Sequence, residues 1–382
     1  MKDKLFSIID DLNDEYVKIW EDICNIESPT HYKAGIDAVG EYFIRYANAR
    51  GWKVDVFEQP VAGNVVTITM NADVDAAPIA FSGHMDTVHA VGSFGNPPTK
   101  IDGDKIYGPG TTDCKGGIVV GFLAMEALYR AGYKARPVVM YLQSDEEGGG
   151  KYSGDATINH ICEVAQGSVA FFNLEGGNPG KICIGRKGIV SFEFTVTGVE
   201  AHSAGCATNG ASAILEAAYK IIELEKFKDP KGLTCCCTVI NGGTKHNIVP
   251  GECKFIANVR FAKMSELDEF VAFANKLCDD IKVQGCKCKM VIPRVRPAME
   301  LCDRNIHLVE KLNEIWKENG IEELTYIVNA GGSDAANVSA SGIPAVDNMG
   351  PFGGKIHTID EFGIISSLAT QAKRLAVAAY YL

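Results

Sequence analysis

The spacing of hydrophobic residues predicts two helices, followed by an alternation of strands and helices. Leu5, Ile8, Ile9 and Leu12 recur at helical spacing near the start, and a second amphipathic stretch covers residues 34–49. β-Branched or wholly apolar runs then predict strands at 65–70, 79–81, 137–142 and 169–174, with a helix at 115–131. Strands that alternate with helices favour a mostly parallel, twisted sheet with helices on its faces.

The hydrophobic pattern changes from about Ile189. The predicted strands there are 189–197, 234–240, 252–261 and 286–292, and the predicted helices are 211–227 and 265–281, the second capped by Ser265. This β-α-β-β-α-β order is the split pattern of a ferredoxin-like module. A helix at 303–317, strands at 325–328 and 343–346, and a last helix from Gly363 return to the first pattern. We therefore expect an α/β catalytic domain in two parts, 1–185 and 296–382, interrupted by an inserted α+β domain at 186–295.

Composition and charge exclude several classes of protein. The 382 residues carry a net charge of −11, which argues against a nucleic-acid surface because phosphate binding needs clustered Lys and Arg. No apolar run reaches the roughly 20 residues of a membrane helix. Acidic residues interrupt the apolar stretch at the N-terminus, so no signal peptide is predicted. We expect no nucleic-acid partner, no membrane association and a cytoplasmic location.

The thirteen cysteines are not arranged like a disulfide framework, which is a feature of small secreted proteins. Cys235, Cys236 and Cys237 are consecutive and cannot all pair locally. Cys286 and Cys288 point to the same face of a predicted strand, a spacing that is compatible with a metal site. We expect all thirteen to be reduced thiols that behave as small hydrophobic residues.

Residues of the types that bind metals follow three of the predicted strands. His84, the pair Glu146–Glu147, and Glu175 each stand where a strand of the α/β domain ends. In open α/β sheets, sites form at the carboxyl ends of the strands, so this placement carries information beyond residue type. Taken singly, each residue has an ordinary explanation, such as a hydrogen-bonded histidine in the core or solvated glutamates.

Two further candidate ligands lie in glycine-rich loops. Asp113 ends a Gly-Pro-Gly-Thr-Thr-Asp loop directly before a predicted helix, where its ordinary role would be that of an N-cap. His357 follows Gly353 and Gly354. Together with the residues at the strand ends, the set contains two histidines and three carboxylates besides Glu146. Such a set can hold two divalent ions if one carboxylate bridges them.

Three segments resemble the signatures of a known enzyme family. They are SGHMDTV at 82–88, GPGTTDCKGG at 108–117 and DEEG at 145–148. They resemble a family of zinc-dependent amidohydrolases and exopeptidases that includes aminoacylase, acetylornithine deacetylase, succinyl-diaminopimelate desuccinylase, carboxypeptidase G and peptidase T. The resemblance continues through GVEAHS at 198–203, NIVP at 247–250, GGSDA at 331–335 and HTIDE at 357–361, and so spans the chain.

The resemblance implies a role for each residue of the catalytic domain. His84 and Glu175 would bind one metal ion, His357 and Glu147 the other, and Asp113 would bridge them; Asp86 would orient His84, and Glu146 would be the general base towards a metal-activated water. The two divalent ions are expected to be zinc, with cobalt or manganese as alternatives. The resemblance also implies a cis peptide bond between Asp113 and Cys114.

For the inserted domain, the resemblance implies a lid and dimerisation module. His202 would stabilise the oxyanion, in the active site of the partner subunit. Arg260 and Asn247 would bind the carboxylate of the substrate, because an arginine fork suits a carboxylate. We therefore expect a homodimer that acts on a small molecule or short peptide bearing a carboxylate.

The substrate and one alternative class remain open. In the family that the chain resembles, glutamate at the position of Glu175 is found mostly in deacylases, whereas Tyr107 and the Gly-Thr-Thr-Asp loop fit peptidases equally well. The resemblance therefore implies either an N-acyl amino acid or a di- or tripeptide as substrate. A non-catalytic dimeric scaffold that binds a metal or ligand would be expected to have lost Glu146 or a ligand, and none is missing. A cysteine-based redox or zinc-ribbon protein would need paired C-x-x-C units, which the sequence lacks.

Overall fold

The computed structural model describes residues 1–382 and divides into two compact units. The large unit comprises Met1–Ile184, Leu301–Val328 and Ser333–Leu382, and the small unit comprises Gly185–Glu300 and Asn329–Gly332. The chain therefore leaves the large unit, forms most of the small unit in one stretch, and returns. The catalytic and lid roles that the sequence assigns to these segments stay predictions.

The elements, in chain order, open with those that precede the small unit. They are α1 Lys2–Cys24, α2 Lys33–Asn48, β1 Lys53–Phe57, β2 Val65–Met70, β3 Ile79–His84, β4 Lys100–Asp102, β5 Lys105–Tyr107, α3 Lys115–Ala131, β6 Val138–Gln143, α4 Ala156–Val164, β7 Ala170–Asn173 and β8 Lys181–Arg186. The next are β9 Gly188–Thr197, a 3₁₀ turn at Ser203–Gly205, α5 Ala213–Leu224, β10 Thr234–Gly242, β11 Glu252–Phe261, α6 Met264–Asp279, β12 Lys287–Val291 and β13 Val295–Arg296. The last are α7 Asp303–Glu318, β14 Thr325–Asn329, α8 Asp334–Ala340, β15 Ala345–Val346, β16 Gly353–Gly354, β17 Phe362–Ile364 and α9 Ser366–Tyr381.

The main sheet of the large unit runs in the order β1-β2-β6-β3-β7-β15. The pairs β6–β3, β3–β7 and β7–β15 are parallel, and β1 and β2 extend the sheet as antiparallel strands. Every residue of β3 and β6 is buried, which explains why these strands have continuous apolar runs rather than an alternating pattern. Helices α1, α3 and α9 pack against one another, and α3 also packs against β3. The predicted α/β class, a mostly parallel sheet flanked by helices, is confirmed.

The sheet of the small unit has the order β10-β11-β9-β12, with all of its neighbours antiparallel and β13 added beside β9. Buried and less buried residues alternate along β9 and β11, so one face packs against α5 and α6. Phe194 and Phe255 stack at 4.6 Å within this core, and Phe192 contacts Phe270 of α6 at 5.1 Å. This strand order confirms the predicted ferredoxin-like α+β domain.

Two predicted helix starts are wrong. Gly363 lies in β17, where it pairs with Ile106. A Cβ at this position would lie 2.4 Å from the ring of Trp20, so glycine lets β17 pass close to α1. Helix α9 begins only at Ser366. Helix α6 is capped at Lys263 rather than Ser265.

The start of α6 depends on an acidic side chain three residues beyond the cap. Glu266 accepts the backbone N–H groups of Lys263 and Ala262 at 3.2 and 2.8 Å. A carboxylate at this position satisfies donors that the first helical turn leaves unpaired, so the helix begins one turn before Glu266 rather than at the serine.

The thirteen cysteines are all free thiols in this structure. Cys286 lies just before β12, whereas Cys288 lies on it and its sulfur is 3.5 Å from that of Cys278 in α6. Neither Cys286 nor Cys288 belongs to a group of ligand-type side chains close enough to share an ion. The suggestion of a metal site at these two residues is therefore wrong. None of the helices has the length and apolar character needed to cross a membrane.

Candidate metal centre

Four predicted site residues lie at one edge of the main sheet. His84 is the last residue of β3, Glu146 and Glu147 follow the end of β6, and Glu175 follows the end of β7. Strand β3 lies between β6 and β7 and is parallel to both, so the carboxyl ends of the three strands meet at the same edge. The topology brings together side chains as far apart in sequence as His84 and Glu175.

Asp113 is delivered to this edge by the start of α3. A Cβ at Gly117 would lie 1.9 Å from the carbonyl oxygen of Leu174, so only glycine lets α3 approach the end of β7 this closely. The N-cap residue of α3 is Cys114, so the carboxylate of Asp113 is not used for capping. The Asp113–Cys114 peptide bond is cis, as predicted.

The two oxygens of Asp113 face different histidines. Oδ1 lies 3.0 Å from Nε2 of His84, and Oδ2 lies 3.2 Å from Nε2 of His357. Each histidine has a second carboxylate beside it. Nε2 of His84 is 3.6 Å from Oε1 of Glu175, and Nε2 of His357 is 3.4 Å from Oε2 of Glu147. The five predicted ligands therefore form one cluster with Asp113 at its centre.

The electrostatics of the cluster are those of crowded, buried anions. Burial and the nearby Asp113 raise the pKa of Glu147 to about 7, and the same two causes raise the pKa of Glu175 well above its ordinary value. Burial acts on Asp113 in the same direction, yet hydrogen bonds with His357 and His84 hold its pKa below the usual range. Hydrogen bonds with Asp113 and Glu147 raise the pKa of His357 to about 10. The cluster thus attracts positive charge.

Imidazole nitrogens and carboxylate oxygens in this arrangement fit divalent metal ions. Both are ligands of zinc and of similar first-row ions. The ligand atoms of His84, Asp113 and Glu147 all lie within 4.8 Å of one another. A carboxylate that presents one oxygen to each of two imidazoles is suited to bridge two ions. The donor set therefore fits a pair of divalent ions.

Asp86 organises the residues around His84. Its backbone oxygen accepts the Nδ1–H of His84 at 2.9 Å, which leaves Nε2 directed at Asp113. Its side-chain oxygens accept the backbone N–H groups of Glu146 and Glu147 at 3.2 and 3.1 Å. Asp86 therefore fixes both a candidate ligand and the loop that carries the predicted general base.

His202 and Asn247 lie together in the small unit. The exposed His202 caps the short 3₁₀ turn, where its Nδ1 accepts the N–H of Ala204 at 3.2 Å. In the neutral ring, the proton is therefore on Nε2, which is free to donate a hydrogen bond. The backbone oxygen of Asn247 accepts the N–H of Ser203, the residue that follows His202, at 2.9 Å.

Arg260 lies on β11, half-buried, with its Nε donating to Oδ1 of Asn258 at 3.3 Å. Burial, and then the neighbouring Arg296, lower the pKa of Arg260. The two arginines pair with Ile189 from either side, since β11 and β13 both flank β9. The small unit therefore places two guanidinium groups near each other.

Four residues that the structure brings to these sites had no predicted role in them. Thr30 donates its hydroxyl to Asp86 at 2.9 Å, Arg296 flanks Arg260, and Cys114 lies beside His84 and Glu175. The fourth, Glu361, accepts the backbone N–H of Asp113. Only Cys114 and Glu361 had a signal in the sequence, because both belong to the segments that carry the resemblance.

A carboxylate between two imidazoles, at the carboxyl edge of a helix-flanked parallel sheet, is typical of proteins that bind divalent metal ions. Comparison with known proteins narrows the class. The model of the peptidase dimerisation domain of the M20 type matches residues 184–286.

Curated relatives match over most of the chain. Carboxypeptidase G2 from Pseudomonas sp. (strain RS-16) is 27% identical over 354 residues, which cover 91% of this chain and 84% of that protein. A probable succinyl-diaminopimelate desuccinylase from Staphylococcus aureus (strain MRSA252) is 28% identical over 331 residues, which cover 74% of this chain and 78% of that protein.

Solved structures share the fold. The aminopeptidase PepT from Bacillus cereus ATCC 10987 superposes with a TM-score of 0.80 and 20% identity, over 96% of this chain and 98% of that one. The M20 family metallo-carboxypeptidase Sso-CP2 from Sulfolobus solfataricus superposes with a TM-score of 0.71 and 17% identity, over 96% and 99% of the two chains.

These comparisons confirm the predicted resemblance. The chain is similar to M20 metallopeptidases and desuccinylases, and this similarity supports a hydrolase that acts on amide or peptide bonds. The match to a dimerisation domain suggests a homodimer, and the large unit contains groups of ligand-type side chains that could hold a metal ion.

Proposed function

We propose that this protein hydrolyses an amide bond of an N-acyl amino acid or short peptide that bears a carboxylate, with two divalent metal ions as cofactors. The observation that carries the proposal is the position of Asp113, whose two oxygens face His84 and His357 at 3.0 and 3.2 Å. A site for one metal ion would not require a carboxylate whose two oxygens face two different imidazoles.

The ligand assignment follows the pairs of neighbours in the cluster. His84 and Glu175, which are neighbours, would hold one ion, His357 and Glu147 would hold the other, and Asp113 would contribute to both sites. Zinc is the expected metal, with cobalt or manganese as alternatives. When bound, the ions lower the pKa of a water molecule towards about 7 and polarise the scissile carbonyl group.

Glu146 is the proposed general base. It is 7% exposed and is carried by a loop whose backbone is hydrogen-bonded to Asp86. Its neighbour Glu147 faces His357, so the two adjacent glutamates have different tasks. A carboxylate oxygen of Glu146 accepts the proton of the attacking water and later delivers it to the leaving nitrogen.

The residues of the small unit are proposed to bind the reacting group and the substrate. His202 presents its Nε2–H to the oxyanion that forms when water attacks the carbonyl carbon, in the active site of the partner subunit. Arg260 and Asn247 bind the carboxylate of the substrate. The proximity of Arg296 to Arg260 supports this assignment, since two adjacent guanidinium groups favour an anion between them.

The proposal is tested with purified protein loaded with zinc, cobalt or manganese. A panel of N-acetyl and N-succinyl amino acids is compared with di- and tripeptides, and metal content is measured for each preparation. Turnover of one class with up to two ions per chain supports the proposal and identifies the bond cleaved. A dinuclear protein that cleaves no member of the panel, and binds several of them unchanged, would instead support the non-catalytic scaffold.

A further inference from the structure

Glu361 is a buried carboxylate, 1% exposed, whose side-chain oxygens contact His89 and the loop that carries Asp113. Its Oε1 accepts the backbone N–H groups of Thr112 and Asp113 at 2.9 and 3.1 Å. Its Oε2 accepts the backbone N–H of Gly110 at 3.2 Å and lies 3.0 Å from Nε2 of His89. The two carboxylate oxygens of Glu361 therefore accept hydrogen bonds from four donors.

The loop that carries Asp113 needs an acceptor at this position. Gly110 has a φ of +77°, and the loop turns the N–H groups of Gly110, Thr112 and Asp113 towards one point, inside the protein. A buried N–H without a partner would destabilise the loop. An ionised carboxylate suits this point because it is purely an acceptor, with about four lone-pair positions. Since its oxygens are occupied by these donors, Glu361 is not itself a metal ligand.

Glu361 also joins the loop of Asp113 to the loop of His357. It follows His357 by four residues, and its backbone N–H donates to Thr358 at 3.1 Å while its backbone oxygen accepts the N–H of Gly108 at 3.2 Å. The two candidate ligands on these loops, Asp113 and His357, face each other at 3.2 Å. A displacement of the Glu361 carboxylate would therefore alter the bridge and one terminal ligand together.

His89 orients the carboxylate of Glu361. Besides its contact with Glu361, the ring of His89 packs edge-on against Phe94, with centroids 4.8 Å apart. Since Oε2 is an acceptor, Nε2 of His89 is the donor in this pair.

We propose that Glu361, oriented by His89, is a positioning residue that sets the geometry of Asp113 and His357 for metal binding. This inference rests on the proposed function for the role of the two ligands.

The variant Glu361→Gln tests the proposal with almost no change in shape. The glutamine side chain has one acceptor oxygen, whereas its NH₂ group can only donate. In one orientation the NH₂ group faces the N–H groups of Thr112 and Asp113, and in the other it faces the N–H of Gly110 and His89. We expect the affinity for Co²⁺, measured by competition with a chromophoric chelator, to fall roughly 10- to 100-fold, as for changes to partners of metal ligands. The absorption spectrum of the bound Co²⁺ should change, and kcat should fall more than KM changes.

Glu126→Gln is the matched control. Glu126 is a buried carboxylate of α3 that accepts hydrogen bonds from Tyr46, Arg50 and Arg130, away from the Asp113 loop. It should lower the thermal stability while leaving Co²⁺ affinity and spectrum unchanged. His89→Gln keeps a donor and should retain more of the Co²⁺ affinity than His89→Ala.

Metal binding and catalysis are measured separately, so the positioning role of Glu361 and the proposed function can be contradicted independently. Wild-type affinity and an unchanged Co²⁺ spectrum in Glu361→Gln would overturn the positioning role. Equal losses of affinity in Glu361→Gln and Glu126→Gln would also overturn it, since they would indicate a general loss of stability. A wild-type chain that binds two ions but cleaves no amide would overturn the proposed function alone.

Discussion

The two units of this protein hold their candidate functional residues in different ways. In the large unit, the residues around Asp113 are mostly buried and bonded to one another; His84, for example, is 2% exposed. In the small unit, His202 and Asn247 are exposed on loops, and Arg260 is half-buried on a strand. Buried, mutually bonded groups are rigid and pre-organised, whereas exposed ones can adapt to a ligand. Under the proposed function, the metal ligands and the general base belong to the large unit, whereas the groups that bind the oxyanion and the substrate carboxylate belong to the small unit.

Loss of the central carboxylate should have the largest effect. Asp113→Asn removes the charge that faces both histidines, so we expect less than one ion per chain and no measurable turnover. Glu147→Ala and Glu175→Ala should each weaken only one of two ions, because each glutamate neighbours a single histidine. Metal analysis after dialysis measures this. Equal metal loss in all three variants would contradict the central position of Asp113.

The second-largest effect is expected at Glu146, which lies in the large unit but is not a proposed metal ligand. Glu146→Gln should retain the wild-type metal content and lower kcat by about 10²–10⁴, the usual contribution of a positioned proton acceptor. Metal content and steady-state kinetics are measured on the same preparation. A variant with near-normal kcat would remove Glu146 from the role of general base.

His202→Ala should have a smaller effect, with unchanged metal content and kcat lower by about 10²–10³, as for the loss of one oxyanion donor. The exposed imidazole makes few contacts, so thermal stability should hardly change. His202→Asn, which keeps a donor, is expected to lose less.

Mixed dimers sharpen this test. Heterodimers of His202→Ala and Glu146→Gln should regain one working site of two, because one subunit keeps the base while the other supplies the histidine. If heterodimers form but remain inactive, His202 does not act in the partner's active site.

The smallest effect is expected at Arg260. Arg260→Lys keeps the charge but loses the planar fork, and should raise KM by roughly tenfold for substrates with a carboxylate, with little change in kcat. Matched substrates in which the carboxylate is amidated should lose this difference. A fall in kcat at constant KM would place Arg260 with the chemistry and weaken the contrast between the units.

Much of the fold was predictable from local patterns. Helix α3 was predicted with its observed bounds, and the β-α-β-β-α-β order of the small unit followed from alternation along β9 and β11. Strand β1 was missed because it is a mostly exposed edge strand without a clear apolar face. The start at Gly363 was wrong because the glycine permits a close contact with Trp20, which lies far away in sequence.

For the candidate site, the sequence by itself determined which side chains are available and that they end strands of one sheet. His84 ends β3, Glu147 and Glu175 follow β6 and β7, and motifs in order along the chain were sufficient to select them. Only the tertiary structure decided which of them face one another, so that Asp113 lies between two histidines. It also decided that Glu361 accepts N–H groups some 250 residues away. A hydrogen bond to a backbone N–H depends on where the loop turns in space and not on the identity of the residue that donates it, so no local pattern encodes its partner.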